Sequence, residues 1–170
     1  GLGSNLTLDG TINPDFGQVE ADPAEVNLTA FETFFPEQRP FFIEGNQLLQ
    51  GTGPGYYYSR RIGATPQGYA TGEVADSADF LESPRYATIL GAAKLTGRTS
   101  SGMSIGALAA VTQREYANLY DMTTNSFDKV AVEPSTAYLV GRVQQEFGAS
   151  ASTVGVTLTG LSRNFSDAEP

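Results

Sequence analysis

The sequence predicts an all-β chain, an antiparallel meander, and three observations carry that prediction. Nineteen glycines and nine prolines in 170 residues disfavour a helical bundle, because both residue types disrupt helix interiors. Apolar and polar residues alternate with period two over several stretches of about ten residues, the signature of strands with two unlike faces. Short turns alternate with long polar connections along the second half.

The first strand is Asn5-Leu6-Thr7-Leu8-Asp9-Gly10-Thr11-Ile12, with Leu6, Leu8 and Ile12 on one parity and Asn5, Thr7, Asp9 and Thr11 on the other. Residues 13–55 then lose alternation. They combine Asp15, Glu20, Asp22, Glu25, Glu32, Glu37 and Glu44 with Phe16, Phe31, Phe34, Phe35, Phe41 and Phe42, which predicts a compact, irregular, acidic and Phe-rich insert. A short helix is expected from about Asn27, a good N-cap, to Phe35, where Pro36 makes continuation unfavourable. Tyr56 to Ile62 is aromatic and β-prone, and residues 63–84 read as a long solvated loop.

The stretch 86–165 reads as two β-hairpins. Tyr86 to Arg98 sets Ala87, Ile89, Gly91, Ala93 and Leu95 against Thr88, Lys94, Thr96 and Arg98, and turns at residues 99–102 into Met103 to Gln113. The polar stretch from Asn118 to Lys129 is expected to be a loop. Ser135 to Phe147 sets Ala137, Leu139, Gly141 and Val143 against Tyr138, Arg142, Gln144 and Glu146, and Thr153 to Phe165 returns with Val154, Val156 and Leu158 against Thr153, Thr157, Thr159 and Arg163.

Strands of about 9–11 residues with one small or aliphatic face and one polar face, joined alternately by short turns and long loops, are the pattern of an outer-membrane-type β-barrel. A soluble β-sandwich shows the same alternation with the apolar face inward. Tyr56, Tyr57, Tyr58, Tyr86, Tyr116, Tyr120, Phe147 and Phe165 fall near strand ends, where interfacial aromatic girdles sit, and this favours the barrel. In it, the insert is a plug and Lys94, Arg98, Arg142 and Arg163 face the lumen. In the sandwich these four are ordinary solvent-facing charges.

Composition limits the chemistry. A net charge of −9 repels phosphate backbones and argues against nucleic acid as a partner. The chain has no cysteine and no histidine, which excludes a thiol nucleophile, a Ser-His-Asp triad and thiolate or imidazole ligands. Lack of cysteine also suits an oxidising envelope compartment. No run approaches the roughly 18 apolar residues of a spanning helix. The chain opens directly in a strand pattern and stops at Asp167-Ala168-Glu169-Pro170 just after another, as expected of a piece of a longer protein.

Candidate sites lie in and just after the insert. Asp15, Glu20, Asp22 and Glu25 are candidate calcium ligands, since that ion takes six to eight oxygens, but their spacing is not that of an EF-hand, and solvated or turn-paired carboxylates are the competing reading. Glu37 and Glu44 flank Arg39, so Glu37, Arg39, Glu44, Arg60 and Arg61 form a candidate structural ion-pair network. A carboxylate-dependent glycan hydrolase is the enzymatic alternative. Phe34, Phe35, Phe41 and Phe42 bracket a link stiffened by Pro36 and Pro40 and are the expected core of the insert, with an aromatic sugar platform as the alternative.

The run Asn13-Pro14-Asp15-Phe16-Gly17-Gln18-Val19-Glu20-Ala21-Asp22-Pro23-Ala24-Glu25-Val26-Asn27-Leu28 resembles, with Phe34-Phe35-Pro36-Glu37-Gln38-Arg39-Pro40-Phe41-Phe42-Ile43-Glu44-Gly45 and Tyr58-Ser59-Arg60-Arg61-Ile62-Gly63, a large family of bacterial envelope proteins. The resemblance extends through residues 91–98 and Val140-Gly141-Arg142. In that family a domain like a family-nine carbohydrate-binding module precedes a domain of unknown function that looks like an outer-membrane barrel. The resemblance implies a bacterial outer-membrane location, with this chain a fragment of the barrel-like domain. Membrane lipid and further strands of the same barrel are then its partners, glycan is an alternative partner, and no reaction is implied. The expected role is a non-enzymatic barrel component in structure, transport or surface display, and the alternative is an envelope-associated glycan-binding sandwich.

Overall fold

A computed structural model describes residues 5–14, 34–51, 55–68 and 78–165. They fold as two open antiparallel sheets, neither closed into a barrel, with a few short helical turns. The five-stranded sheet has the order β1 (Leu6–Ile12), β3 (Ile89–Arg98), β4 (Met103–Thr112), β7 (Ser135–Phe147) and β8 (Ser152–Asn164). The three-stranded sheet has the order β2 (Phe80–Glu82), β5 (Glu115–Asp121) and β6 (Ser126–Glu133). Between β1 and β2 lie α1 (Pro40–Ile43), α2 (Asn46–Gln50) and a 3₁₀ turn at Ser59–Arg61.

Directly opposed residues of an antiparallel pair share a face. The register therefore aligns Leu8, Leu95, Ala107, Gly141 and Leu158 in one row across all five strands, and Asp9, Lys94, Leu108, Val140 and Thr159 in the row one residue along on the other face. The first face carries the aliphatic parity of each strand and is uncovered: Leu8, Leu139 and Val156 are each 59% exposed and Leu158 is 71% exposed. The second face carries the short helices. Its core is Phe42, Leu49, Tyr57 and Ile62 packed on Ile89, Ala92, Leu108, Ala110 and Val140.

Ile89 departs from the sequence expectation. Its parity put it with Leu139 and Val156, but the register slips between Ile89 and Gly91, and this bulge turns Ile89 into the covered core, leaving Leu90 half exposed. Gly106 is a point of close approach on the covered face: a Cβ there would stand 2.7 Å from the Leu48 carbonyl oxygen, so only glycine lets α2 lie so near the sheet. Gly45 joins α1 to α2 in the left-handed conformation, at φ 68°.

Three further expectations change. Tyr56 to Ile62 is not a strand: it runs extended to Tyr58 and then makes the 3₁₀ turn, and Tyr57 and Ile62 pack into the core on the sheet face. The stretch from Asn118 to Lys129 is not a loop. β5 and β6 prolong the β4–β7 hairpin beyond Thr112 and Ser135, and only residues 122–125 turn, where Asp121 Oδ1 accepts the Thr123 and Thr124 N–H groups at 2.7 and 3.1 Å. β2 also falls inside the stretch read as a solvated loop. The expected helix from Asn27 to Phe35 lies mostly outside the described residues, and Phe34 and Phe35 are not helical. No helix among the described residues is long and apolar enough to cross a membrane.

Candidate functional site: a buried ion pair and a cleft on the polar face

Pro36 and Pro40 hold the chain extended around Glu37 and Arg39, so the two side chains fold back on each other before α1 begins. Arg39 is 2% exposed and donates to both Glu37 oxygens, Nε to Oε1 and Nη2 to Oε2, each at 2.8 Å. Its other contacts reach the next segment: Nη1 donates to the Ile62 carbonyl at 2.8 Å, Nη2 to the Ser59 carbonyl at 3.0 Å, and the guanidinium lies 4.1 Å from the centre of the Phe42 ring. Ser59 Oγ donates to Glu37 Oε2 at 2.5 Å. A planar, five-donor guanidinium suits this fork, and the pair staples residues 34–43 to the 3₁₀ turn.

Burial alone would raise the Glu37 carboxyl, but hydrogen bonds from Arg39 and Ser59 together with the Arg39 charge outweigh it and hold the group below the ordinary carboxylate range. The adjacent Tyr57 phenol is pushed up by its burial and by the Glu37 charge. Its hydroxyl is buried with no hydrogen-bond partner among the described residues.

The other predicted network residues are placed differently. Arg60 Nη1 donates to the Pro36 carbonyl at 2.7 Å and its guanidinium stands 5.6 Å from the Phe35 ring. Arg61 supplies its carbonyl to the Tyr138 hydroxyl at 3.4 Å. Glu44 contributes its backbone: its carbonyl and that of Phe41 accept Lys94 Nζ, the latter at 2.5 Å. Lys94 is 1% exposed, stands 4.8 Å from the Phe41 ring, and faces Asp9 across the β1–β3 pair.

Lys94, Arg98, Arg142 and Arg163 all lie on the face that carries the helices. Lys94 ties that face to α1. Arg98 pairs with Glu146 of the sheet, not with the insert, and Arg142 donates to Thr157 Oγ1 at 2.7 Å and Gln144 Oε1 at 2.8 Å. Of the four phenylalanines, Phe42 is in the core and Phe41 packs against it, whereas Phe34 is 64% exposed and meets Tyr58 edge-on at 5.0 Å. Asp15, Glu20, Asp22 and Glu25 lie outside the described residues, and among the described residues no three carboxylates group as a metal site would require.

Sequence reasoning missed Ser59, Asp9 and the carbonyl acceptors of Ile62, Phe41 and Glu44. The carbonyls have no sequence signal. The aromatic pattern places Tyr56, Tyr57 and Tyr58 near a strand end, whereas in the fold they wall an open cleft of about 850 Å³ between residues 56–65 and the polar face of β7 and β8.

The fold and site define an all-β scaffold with a short helical insert: an open antiparallel sheet that holds the insert on one face through an apolar core and the buried Lys94. The chain belongs to the family described as a domain of unknown function, DUF5916, whose model matches residues 1–169. No curated protein and no solved structure matches it.

Proposed function

We propose that this chain is part of the wall and plug of an outer-membrane β-barrel, a non-enzymatic component in structure, transport or surface display. The observation that carries the reading is the uncovered aliphatic face opposite the covered polar face. A soluble sheet buries its apolar side and wets its polar side; here Leu8, Leu139, Val156 and Leu158 are exposed while Lys94 and Thr136 are buried. Hydrocarbon is the solvent in which that arrangement is favourable, because the exposed aliphatic parity then meets lipid while the parity that carries Lys94, Leu108 and Val140 packs on the insert.

Dimensions agree. The ten residues of β3 or β4 span about 33 Å, and a tilt of about 45° reduces that to roughly the 25 Å of a barrel's apolar band. β5 and β6 then extend the β4–β7 hairpin beyond the band as a loop arm. Among the described residues β8 pairs on one side only, over 13 residues with no proline. Backbone groups cannot stay unpaired in a bilayer, so the reading requires further strands on that edge. The resemblance to envelope proteins that carry a carbohydrate-binding module supports the location. Glu37 does not fit the general-acid role of a hydrolase, since its carboxylate is committed to Arg39 and Ser59 and held ionised.

Leu158→Arg and Thr159→Arg test the reading in the intact protein, since the two positions are neighbours on opposite faces. In lipid, Leu158→Arg costs about 2–4 kcal/mol near the midplane and blocks outer-membrane assembly, while Thr159→Arg assembles. If both faces instead meet water, both exposed positions tolerate arginine, and equal tolerance would refute the membrane wall.

A further inference from the structure

The five-stranded sheet sends both of its long connections out of the same end. Its register pairs Ile12 with Gly91, Ile89 with Thr112, Thr112 with Thr136 and Ser135 with Asn164, so β1 ends where β3 begins, β4 ends and β7 begins. Residues 13–88 and 113–134 leave from this end, and β2 of the first connection pairs with β5 of the second. Among the described residues the opposite end carries tight turns, at 99–102 and 148–151. The Gly102 N–H donates to the Thr99 carbonyl at 3.0 Å and the Ala151 N–H to the Gly148 carbonyl at 3.2 Å.

The insert descends the covered face from the end with the long connections and then returns to it. α2 marks its depth: the Leu48 carbonyl lies against Gly106 and Gly51 against the Arg142 guanidinium, at two paired positions about 10 Å from the tight turns. Lys94 holds α1 at the level of Leu108, two residues further from those turns. The chain then climbs. The Arg61 carbonyl accepts the Tyr138 hydroxyl three residues into β7, and the Ala87 N–H donates to the Ala64 carbonyl at 2.9 Å just before β3 begins. The cleft belongs to this upper part, since Tyr56, Tyr138, Thr159 and Arg163 line it and Arg163 is one residue from the end of β8.

Membrane barrels treat their two ends differently: short turns lie in the periplasm and long loops lie outside the cell. Irregular backbone at membrane depth is tolerated where it is buried in protein or lines a water-filled space, which is what the inner side of a barrel wall supplies. Resting on the wall proposed above, we infer that the insert is an outer loop folded back into the lumen, not a plug entered from the periplasm. The cleft and the arm of β2, β5 and β6 then face the cell exterior, and a solute arriving from outside meets the tyrosine-lined cleft before it meets α2.

Thiol labelling of intact cells with a membrane-impermeant maleimide tests the orientation. The chain has no cysteine, so an introduced one is its only thiol, and the unmodified full-length protein serves as the blank. Thr124→Cys at the tip of the arm and Tyr56→Cys at the cleft are expected to label in intact cells. Ser100→Cys and Ala149→Cys, exposed in the two tight turns, are expected to label only after the outer membrane is permeabilised. Labelling of either turn in intact cells, or failure of Thr124→Cys or Tyr56→Cys to label until the membrane is opened, would overturn the orientation. Fractionation of the same cells separates this from failure of the wall itself: a contrary pattern in protein recovered with the outer membrane refutes the orientation alone, whereas protein recovered in the soluble fraction refutes both.

Discussion

Leu158 and Lys94 summarise how differently the two faces of the five-stranded sheet are treated. Leu158, a large aliphatic residue, is 71% exposed, and its row companions Leu8 and Leu95 share that open face. Lys94, a residue almost never fully buried unless paired, is 1% exposed beneath α1. The faces are built from alternate residues of the same strands, so neither local propensity nor composition of a segment explains the contrast. What differs is the neighbour: the polar face has a folded insert of its own chain, and the aliphatic face has none among the described residues. The proposed contact of the open face with lipid accounts for that difference.

Breaking the insert's internal staple should have the largest effect. Glu37→Ala leaves the Arg39 guanidinium buried without its carboxylate and is expected to cost about 3–5 kcal/mol, visible as a lower denaturant midpoint. Glu37→Leu combined with Arg39→Met should recover part of this loss, because no unpaired charge then remains.

Lys94→Met comes next. It keeps the length of the stem but leaves the Phe41 and Glu44 carbonyls without their donor, a loss of about 1–3 kcal/mol. Faster hydrogen exchange should then concentrate in residues 40–51 and spare β7 and β8.

A pair of glycines sharpens the contrast between faces. Gly106→Ala forces the new methyl against the Leu48 carbonyl and should destabilise by about 1–3 kcal/mol. At Gly141, on the open face, a Cβ meets nothing within 4 Å, so Gly141→Ala should be neutral or slightly stabilising.

The smallest effect is pH-dependent. Because the folded Glu37 carboxyl lies below its unfolded value, its contribution is fully present above the ordinary carboxylate range near pH 4.5 and is lost as pH falls through the lower folded value. Stability measured in that acid window should fall more steeply in the unmodified chain than in the Glu37→Leu/Arg39→Met variant.

Much of this contrast was legible in the sequence where alternation is strict. Residues 135–147 and 153–164 place every side chain on its face by parity, and the same parity puts Lys94, Arg98, Arg142 and Arg163 together. Parity fails at Ile89, since one extra residue in a bulge reverses the assignment and leaves no mark in the composition. It was also too weak in β5 and β6, where Asn118, Asp128 and Lys129 made two paired strands look like solvated chain. The Glu37–Arg39 pair was visible because its members are two residues apart. Its anchors at Ser59 and the Ile62 carbonyl were not, because they come from 20 or more residues away.

A tryptophan-free chain permits one direct reading of what touches the open face. Single tryptophans at Leu158 and Thr159, in protein reconstituted with lipids brominated along their acyl chains, report contact with hydrocarbon by quenching. The account predicts strong quenching at 158 and little at 159. Quenching that is equal at the two sites, or absent from both, would contradict it.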